Sequence, residues 1–400
     1  MGVTTHGQAA GSNADGRADA AADLASQHAQ SAVPRPRDAT FDILKGISIL
    51  EVMTHHTLST SMRKFAVEHG AAWWTMAALS RILHFAVPTF LLVSAILLAR
   101  SVASKAEPDW NRFFARRVQR TLLPYVVWSV IYIAFRLLLL RAETDVRPVA
   151  LTLPGVGGLS APSLLAPRRV WTNLFWGKAY FHVYFMVVLL QFSAAFPLLF
   201  VAMRRLRLGF WGVLGLGAAL QVAAFQAQYH LWRLDYPGST VLWYCMPVTA
   251  GMWIGLNWNQ WEIVWRRGRW WFGALAVAGL AVYLPLAIGH YLHRPFSSLA
   301  YNCAIAVYCI GIALLLLGLS KRLAATVWPR RTLQSIGDRS IAYFLIHPLV
   351  LFLLGGPKPT AVMARLPAPA VCLGLLMLAI TWALSAASKR LKLDGILFGR

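Results

Sequence analysis

Apolar residues run along this chain in blocks of about twenty, separated by short polar or basic stretches. A block of that length matches the ~30 Å hydrocarbon core of a bilayer when it is helical. Ten such spans can be drawn, at about residues 39–58, 82–100, 121–141, 179–203, 208–228, 240–257, 270–289, 298–319, 338–355 and 367–388. The predicted fold is therefore all-α, a polytopic membrane helix bundle of about ten transmembrane helices. The connections test this drawing. Arg100, Lys105, Arg112, Arg116, Arg117 and Arg120 cluster between the second and third spans, and Arg204, Arg205 and Arg207 follow the fourth. Arg266, Arg267 and Arg269 follow the sixth, Lys321, Arg322, Arg330 and Arg331 the eighth, and Lys389, Arg390 and Lys392 the tenth. Every alternate connection is strongly basic, which by the positive-inside rule places both termini in the cytoplasm.

Three segments break the pattern. Residues 1–34 are rich in Ala, Ser, Gln and Gly with almost no large apolar side chain, and are expected to form a disordered cytoplasmic tail. They contain no apolar core of a signal peptide. The start "MGVTTH" lacks the Ser or Thr at its sixth position that N-myristoylation requires. Residues 35–392 then form the membrane domain, and 393–400 a short cytoplasmic tail. Between the third and fourth spans, residues 142–178 carry Pro148, Pro154, Pro162 and Pro167 and are too broken to cross a membrane. A loop of this length is a lid, a binding surface or a tolerated insertion.

Composition sharpens the class. The 400 residues are 58% hydrophobic and only 13% charged, against about a quarter charged in ordinary soluble domains. The net charge of +23 would suggest nucleic acid in a soluble protein. Here the cations are scattered among loops, so they orient helices and no nucleic-acid partner is expected. Cys245, Cys303, Cys309 and Cys372 show neither a C-x-x-C pair nor zinc-like spacing, so no metal site and no disulfide is expected. Trp73, Trp74, Trp171, Trp176, Trp258, Trp261, Trp265, Trp270 and Trp271 lie near span ends and read as interfacial anchors.

The first span holds the chemistry. "FDILKGISILEVMTHH" carries Asp42, Lys45, Glu51, His55 and His56 inside an apolar helix. Each charge near a bilayer centre costs at least ~2.5–3.5 kcal/mol, and such groups are normally kept for function. At ~100° per residue Lys45 and His56 lie within about 20° of one face, separated by about 16 Å along the axis. Asp42 and Lys45, and Glu51 and His55, are spaced for local pairing. The set is either a polar cluster that glues helices together or a site. His56 favours the site, because imidazole takes and returns a proton near neutrality.

Five motifs in order resemble the acyltransferase-3 family of integral membrane acyltransferases. Lys45, ten residues and then His56 match its first-helix pattern, with Lys where Arg is common. "FFARRVQRTLLPY" matches its R-x-x-x-R pattern at Arg116 and Arg120. "HFAVPTFLLVSAILLAR" is similar to its second helix, with Ser94-Ala95 in place of Ser-Gly, and "KAYFHVYFMVVLLQFSAAFPLL" to its fourth, with His182 at the matching histidine. "SIAYFLIHPLVL" resembles the late segment that supplies His347. No hydrolase-like domain of the kind some members append follows the membrane region in this sequence.

The resemblance implies transfer of an acyl group, most often acetyl, from cytoplasmic acyl-CoA to a carbohydrate across the inner membrane. Acyl-CoA is then a co-substrate, no cofactor is permanently bound, and the partners are membrane lipid, a carbohydrate acceptor and polysaccharide-synthesis machinery. Arg116, Arg120 and Lys45 would hold the phosphates of the donor. His56 would act as general base for the acceptor hydroxyl or as an acyl relay, and His182 would share that chemistry. His182 has the alternative of an interfacial side chain. His347 either joins substrate binding or simply bonds a carbonyl freed by Pro348. Glu51 and His55 are candidate partners that hold His56. A proton-coupled transporter of a small acid or polysaccharide precursor is the rival reading, and a non-catalytic scaffold a third.

Overall fold

A computed structural model describes residues 2, 38–105, 107–139, 148–153, 157–326 and 328–400. Apart from Gly2, the expected tail of residues 1–34 lies outside the described residues, as do 142–147 and 154–156 of the long loop. In chain order the helices are α1 (Ala39–Phe65), α2 (Ala71–Ile82), α3 (Ala86–Ala103), α4 (Trp110–Arg117) and α5 (Leu123–Leu139). Then come α6 (Pro167–Phe175), α7 (Tyr184–Arg205), α8 (Phe210–Ala227), α9 (Cys245–Leu256), α10 (Trp258–Tyr291) and α11 (Ser298–Leu323). The chain closes with α12 (Trp328–Asp338), α13 (Ser340–Leu354), α14 (Pro357–Met363), α15 (Pro369–Arg390) and α16 (Asp394–Phe398).

Among the described residues, seven helical stretches are long and apolar enough to cross a membrane, or eight if the bent pair α12–α13 counts as one span. The expected ten included two more segments, and each falls short for its own reason. Helix α1 has 27 residues but carries too many ionisable side chains, and Val241–Leu256 is apolar but short. Helices α4 and α5 run on as one stretch, Trp110–Leu139, joined by a π-helical turn at Val118–Leu122. The Asp109 side chain starts this stretch by accepting the backbone N–H of Arg112 at 2.8 Å, supplying a partner that the first turn lacks. Between α12 and α13 the axis bends by 73°.

The described part of the long loop is not all irregular. Pro148–Leu153 (β1) and Gly157–Pro162 (β2) pair as an antiparallel two-stranded ribbon, and α6 follows it. This ribbon is a small departure from the expected all-α fold, and it lies outside the helices that make the bundle.

Helix α1 is the hub of the bundle. It packs against α2, α3, α11, α12, α13 and α15. That arrangement shelters its polar side chains among protein rather than lipid, which is where such groups are tolerated. The closest crossing is with α12, where Gly46 and Gly337 face each other. A Cβ on Gly337 would overlap the Asp42 carbonyl, and one on Gly46 would overlap the carbonyl of Leu333. Small residues let two backbones approach in this way, and the resulting dispersion attraction is what holds helices together where no water is displaced.

The tryptophans divide. Trp171, Trp270 and Trp271 are largely exposed, as anchors should be, but Trp73, Trp261 and Trp265 are buried. Along α10 the buried positions are Trp261, Trp265, Gly268, Phe272, Ala276, Gly279, Tyr283 and Ala287, a single stripe at helical spacing. Trp261 and Trp265 fall on that stripe and fill the core, while Trp270 and Trp271 fall beside it. Face, not distance from the span end, decides the role.

Candidate functional site

Three histidines from three elements meet beside α1. His56 comes from α1, His182 from the turn before α7, and His347 from the middle of α13. The His56 and His347 rings stack with centroids 5.5 Å apart and planes 23° apart. His182 stands edge-on to His347 at 5.8 Å. His55 continues the series at 4.8 Å from His56, and His84, just before α3, lies 5.1 Å from His55. Five imidazoles thus form one contiguous string, although they are scattered from residue 55 to residue 347 in sequence.

Backbone carbonyls set two of the tautomers. The Nδ1 of His347 is 2.9 Å from the Tyr343 carbonyl, with the Phe344 carbonyl as a further partner. Pro348 lacks an N–H, so the Phe344 carbonyl is the one it leaves unpaired within the helix. A carbonyl can only accept, so His347 donates from Nδ1 and carries its lone pair on Nε2. That Nε2 is buried and has no hydrogen-bond partner among the described residues. His55 repeats the arrangement, its Nδ1 donating to the Ser80 carbonyl at 2.7 Å. Neither ring nitrogen of His182 has a hydrogen-bond partner among the described residues, and the side chain is only 3% exposed. Burial to that degree is not the position of an interfacial side chain. A buried polar group without a partner is costly, and each such group calls for an explanation.

A cavity of about 400 Å³ adjoins this string. His55, His56, His84 and His182 line it together with Glu51. Glu51 does not pair with His55, as its spacing suggested. Its carboxylate instead takes hydrogen bonds from the backbone of Phe85 and Ala86, at the N-terminal end of α3. First-turn N–H groups have no partner inside their own helix, and a carboxylate complements the positive end of the helix dipole. Glu51 therefore fixes α1 to α3 at the level of the histidines. Across the cavity, Gln221 uses its carbonyl oxygen on the Met246 N–H, and Asn302 donates to the Tyr229 hydroxyl at 2.6 Å. Each amide keeps its other polar end available, and Trp243, Tyr184 and Tyr244 add aromatic surface.

The other sequence-predicted residues stand apart from this cavity. Lys45 is nearer the start of α1 and pairs with Asp42 at 2.7 Å, as the spacing predicted. Arg116 borders a separate crevice of about 40 Å³ with Lys105, Arg112 and Arg117. Arg120 is exposed, on the π-turn that follows α4. The large cavity reaches none of Lys45, Arg116 or Arg120. The predicted residues are therefore spread: imidazoles at the cavity, Arg116 on the crevice beside Arg112 and Arg117, and Lys45 and Arg120 at neither. Among the described residues no group of three or more His, Cys, Asp or Glu side chains is arranged to hold a metal ion.

Three wall residues escaped the sequence reading. His84 sits in the quoted stretch "HFAVPTFLL", and Gln221 and Asn302 are amides inside apolar helices. An uncharged polar side chain in a span is itself a signal, weaker than a charge but of the same kind.

No curated protein and no solved structure matches the chain. A family described as "Acyltransferase domain", of the acyltransferase-3 type, matches residues 38–386. That range takes in the hub helix, both arginines, the cavity wall and all five histidines, and the chain belongs to the acyltransferase-3 family of multi-pass membrane transferases.

Proposed function

We propose that this protein is a membrane-embedded O-acyltransferase that moves an acyl group, most often acetyl, from cytoplasmic acyl-CoA to a hydroxyl of an extracytoplasmic polysaccharide or glycolipid. One observation carries the reading within the family. His56 and His182 come from distant parts of the chain and meet on the wall of one roomy cavity, and His347, from a third, packs against both rings.

His56 faces the cavity and removes the proton of the acceptor hydroxyl as the oxygen attacks the thioester carbonyl. The C–O bond forms, the C–S bond breaks, and the thiolate of coenzyme A leaves and takes up a proton. His347 supports His56 by stacking on it with a fixed tautomer, and His182 completes the group from the other side. The amides of Gln221 and Asn302 and the ring of Trp243 suit the hydroxyls and C–H faces of a sugar. Arg116 and Arg120 hold donor phosphates, Arg116 from the crevice and Arg120 from the surface, because planar guanidiniums match phosphate oxygens in pairs. Lys45 joins them with a point charge. The acyl group then has about 16 Å to cover along α1. An extended pantetheine arm covers it in one step, and an acylated histidine covers it in two.

The test uses full-length protein in liposomes with acetyl-CoA labelled in the acetyl group. Wild type binds the donor and releases label slowly to water. His56→Gln binds the donor with turnover reduced by about 10²–10⁴, the usual contribution of general acid–base catalysis. Arg116→Ala fails to bind. Label that stays on wild-type protein after the free donor is removed selects the two-step route. Indifference of all three proteins to acetyl-CoA and to succinyl-CoA would sink the acyltransfer reading in favour of a transporter.

A further inference from the structure

The stretch Trp110–Leu139 is not uniform. Residues Val118–Leu122 wind as a π-helical turn, closed by the Leu123 N–H bonding the Val118 carbonyl. Single π-turns insert an extra residue into a helix and commonly sit at functional places. Arg120 lies within this one, and Arg116 in the α-helix just before it. In a continuous α-helix, residues four apart share a face. The wider π-turn changes their relative angle, so the splay of the two guanidiniums depends on whether the turn is kept.

The end of the sequence seats on that turn. After α15 the chain reverses at Lys392, which has φ 58°, and forms α16. The Ser388 hydroxyl donates to the Asp394 carboxylate at 2.7 Å and closes the reversal. Phe398 is 3% exposed and lies over Trp128 of α5 with ring centroids 6.1 Å apart. The Trp128 indole N–H donates to the Leu397 carbonyl at 2.8 Å. Gly399 has φ 68°, and a Cβ there would stand 2.5 Å from the Arg120 Cα and 2.7 Å from the Gln119 carbonyl. Arg400 reaches past the turn to the Asp338 carboxylate at 3.2 Å. One seven-residue segment thus ties α15 and α12 to the π-turn, touching its backbone rather than its side chains.

We propose that Asp394–Arg400 is a positioning strap: by seating Gly399 on the backbone of Gln119 and Arg120 it holds the π-turn, and with it the relative placement of Arg116 and Arg120 that sets affinity for the acyl donor. The inference rests on the reading of these two arginines as donor-binding groups. Gly399 is suited to its place twice over. Its positive φ favours glycine, and the contact leaves no room for a side chain.

The experiment compares full-length wild type, Gly399→Ala, Arg400→Ala, Arg116→Ala and Arg120→Ala in lipid nanodiscs. The probe is coenzyme A, the part shared by every acyl-CoA. Dissociation constant, hydrolysis rate at saturating acetyl-CoA and melting temperature are measured together. Gly399→Ala is expected to weaken coenzyme A binding by about tenfold, a typical size for coupling between linked sites, with saturating turnover unchanged and a melting temperature lowered by the lost seat. Arg400→Ala, which removes only the ion pair, should shift binding in the same direction by less. If Arg116→Ala and Arg120→Ala lose affinity while Gly399→Ala and Arg400→Ala bind like wild type, the segment is packing alone and the proposal is overturned with the donor reading intact. The proposal is overturned in the same way if Gly399→Ala lowers turnover and melting temperature but not affinity. If neither arginine variant alters coenzyme A binding, the donor reading falls and takes the strap with it.

Discussion

Helices α1 and α10 invert the rule that apolar means inside. Helix α10 has 34 residues, passes as a membrane span on composition, and buries only eight of them. Helix α1 has 27 residues, is too rich in ionisable groups to pass, and buries 15, Asp42 and Glu51 among them. In water the first would be the core helix. Facing lipid, an apolar side chain is as well solvated outside as inside, so it needs no protein neighbours. A carboxylate or an imidazole does need them, because nothing in the hydrocarbon can bond it. The polar helix is driven to the centre, and the apolar helices become its wall. The helix that carries the chemistry is thus also the one that organises the fold.

This contrast can be broken by substitution, and the effects rank by what each change does at the hub. The largest is expected for Gly337→Val. Its side chain has no space against the Asp42 carbonyl, so α12 must move away from α1. Loss of more than about 3 kcal/mol, the upper range of overpacking, should appear as little or no monodisperse protein on size exclusion. Glu51→Leu is next. It keeps the volume but strips the backbone of Phe85 and Ala86 of its acceptor, at a cost of about 1–3 kcal/mol per unsatisfied group. Its melting temperature in detergent should fall, and Glu51→Gln, which retains a carbonyl, should recover most of the loss. Val277→Ala on α10 should do almost nothing. This valine is 70% exposed, and surface changes of this kind stay within about 0.5 kcal/mol. A melting shift at Val277 comparable to that of Glu51→Leu would mean that α10 has a protein partner on its outer face, and would undo the comparison.

Much of this arrangement was legible in the sequence, and the limits have physical causes. Hydropathy located the apolar helices because lipid contact selects for it directly. It also marked α1 and Val241–Leu256 as spans, although α1 is rich in ionisable groups and Val241–Leu256 is short. The Asp42–Lys45 pair followed from helical spacing, since both partners sit on one element. The Glu51–His55 pair followed from the same rule and is not made, because each side chain found a backbone partner on a neighbouring segment. The pairing of His347 with carbonyls near Pro348 was readable, being a matter of one turn of helix. The convergence of His182 and His347 on His56 was suggested only by family motifs, since no local rule brings residues so distant together. The C-terminal eight residues read as a tail because a short segment with one phenylalanine shows no periodicity. Their place against Trp128 and Arg120 depends on surfaces that only the folded bundle creates.

The position of α1 also has a consequence for how the chain is made. Its neighbours α12, α13 and α15 are synthesised long after α1 has emerged. At ~5–20 residues per second, the interval between completion of Phe65 and completion of Arg390 is about 20–60 s. Through that time the carboxylate and imidazoles of α1 lack the part of their enclosure that α12, α13 and α15 supply. A helix made early is thus enclosed late, so a defect in α12, α13 or α15 leaves this polar segment open to recognition by quality-control proteases.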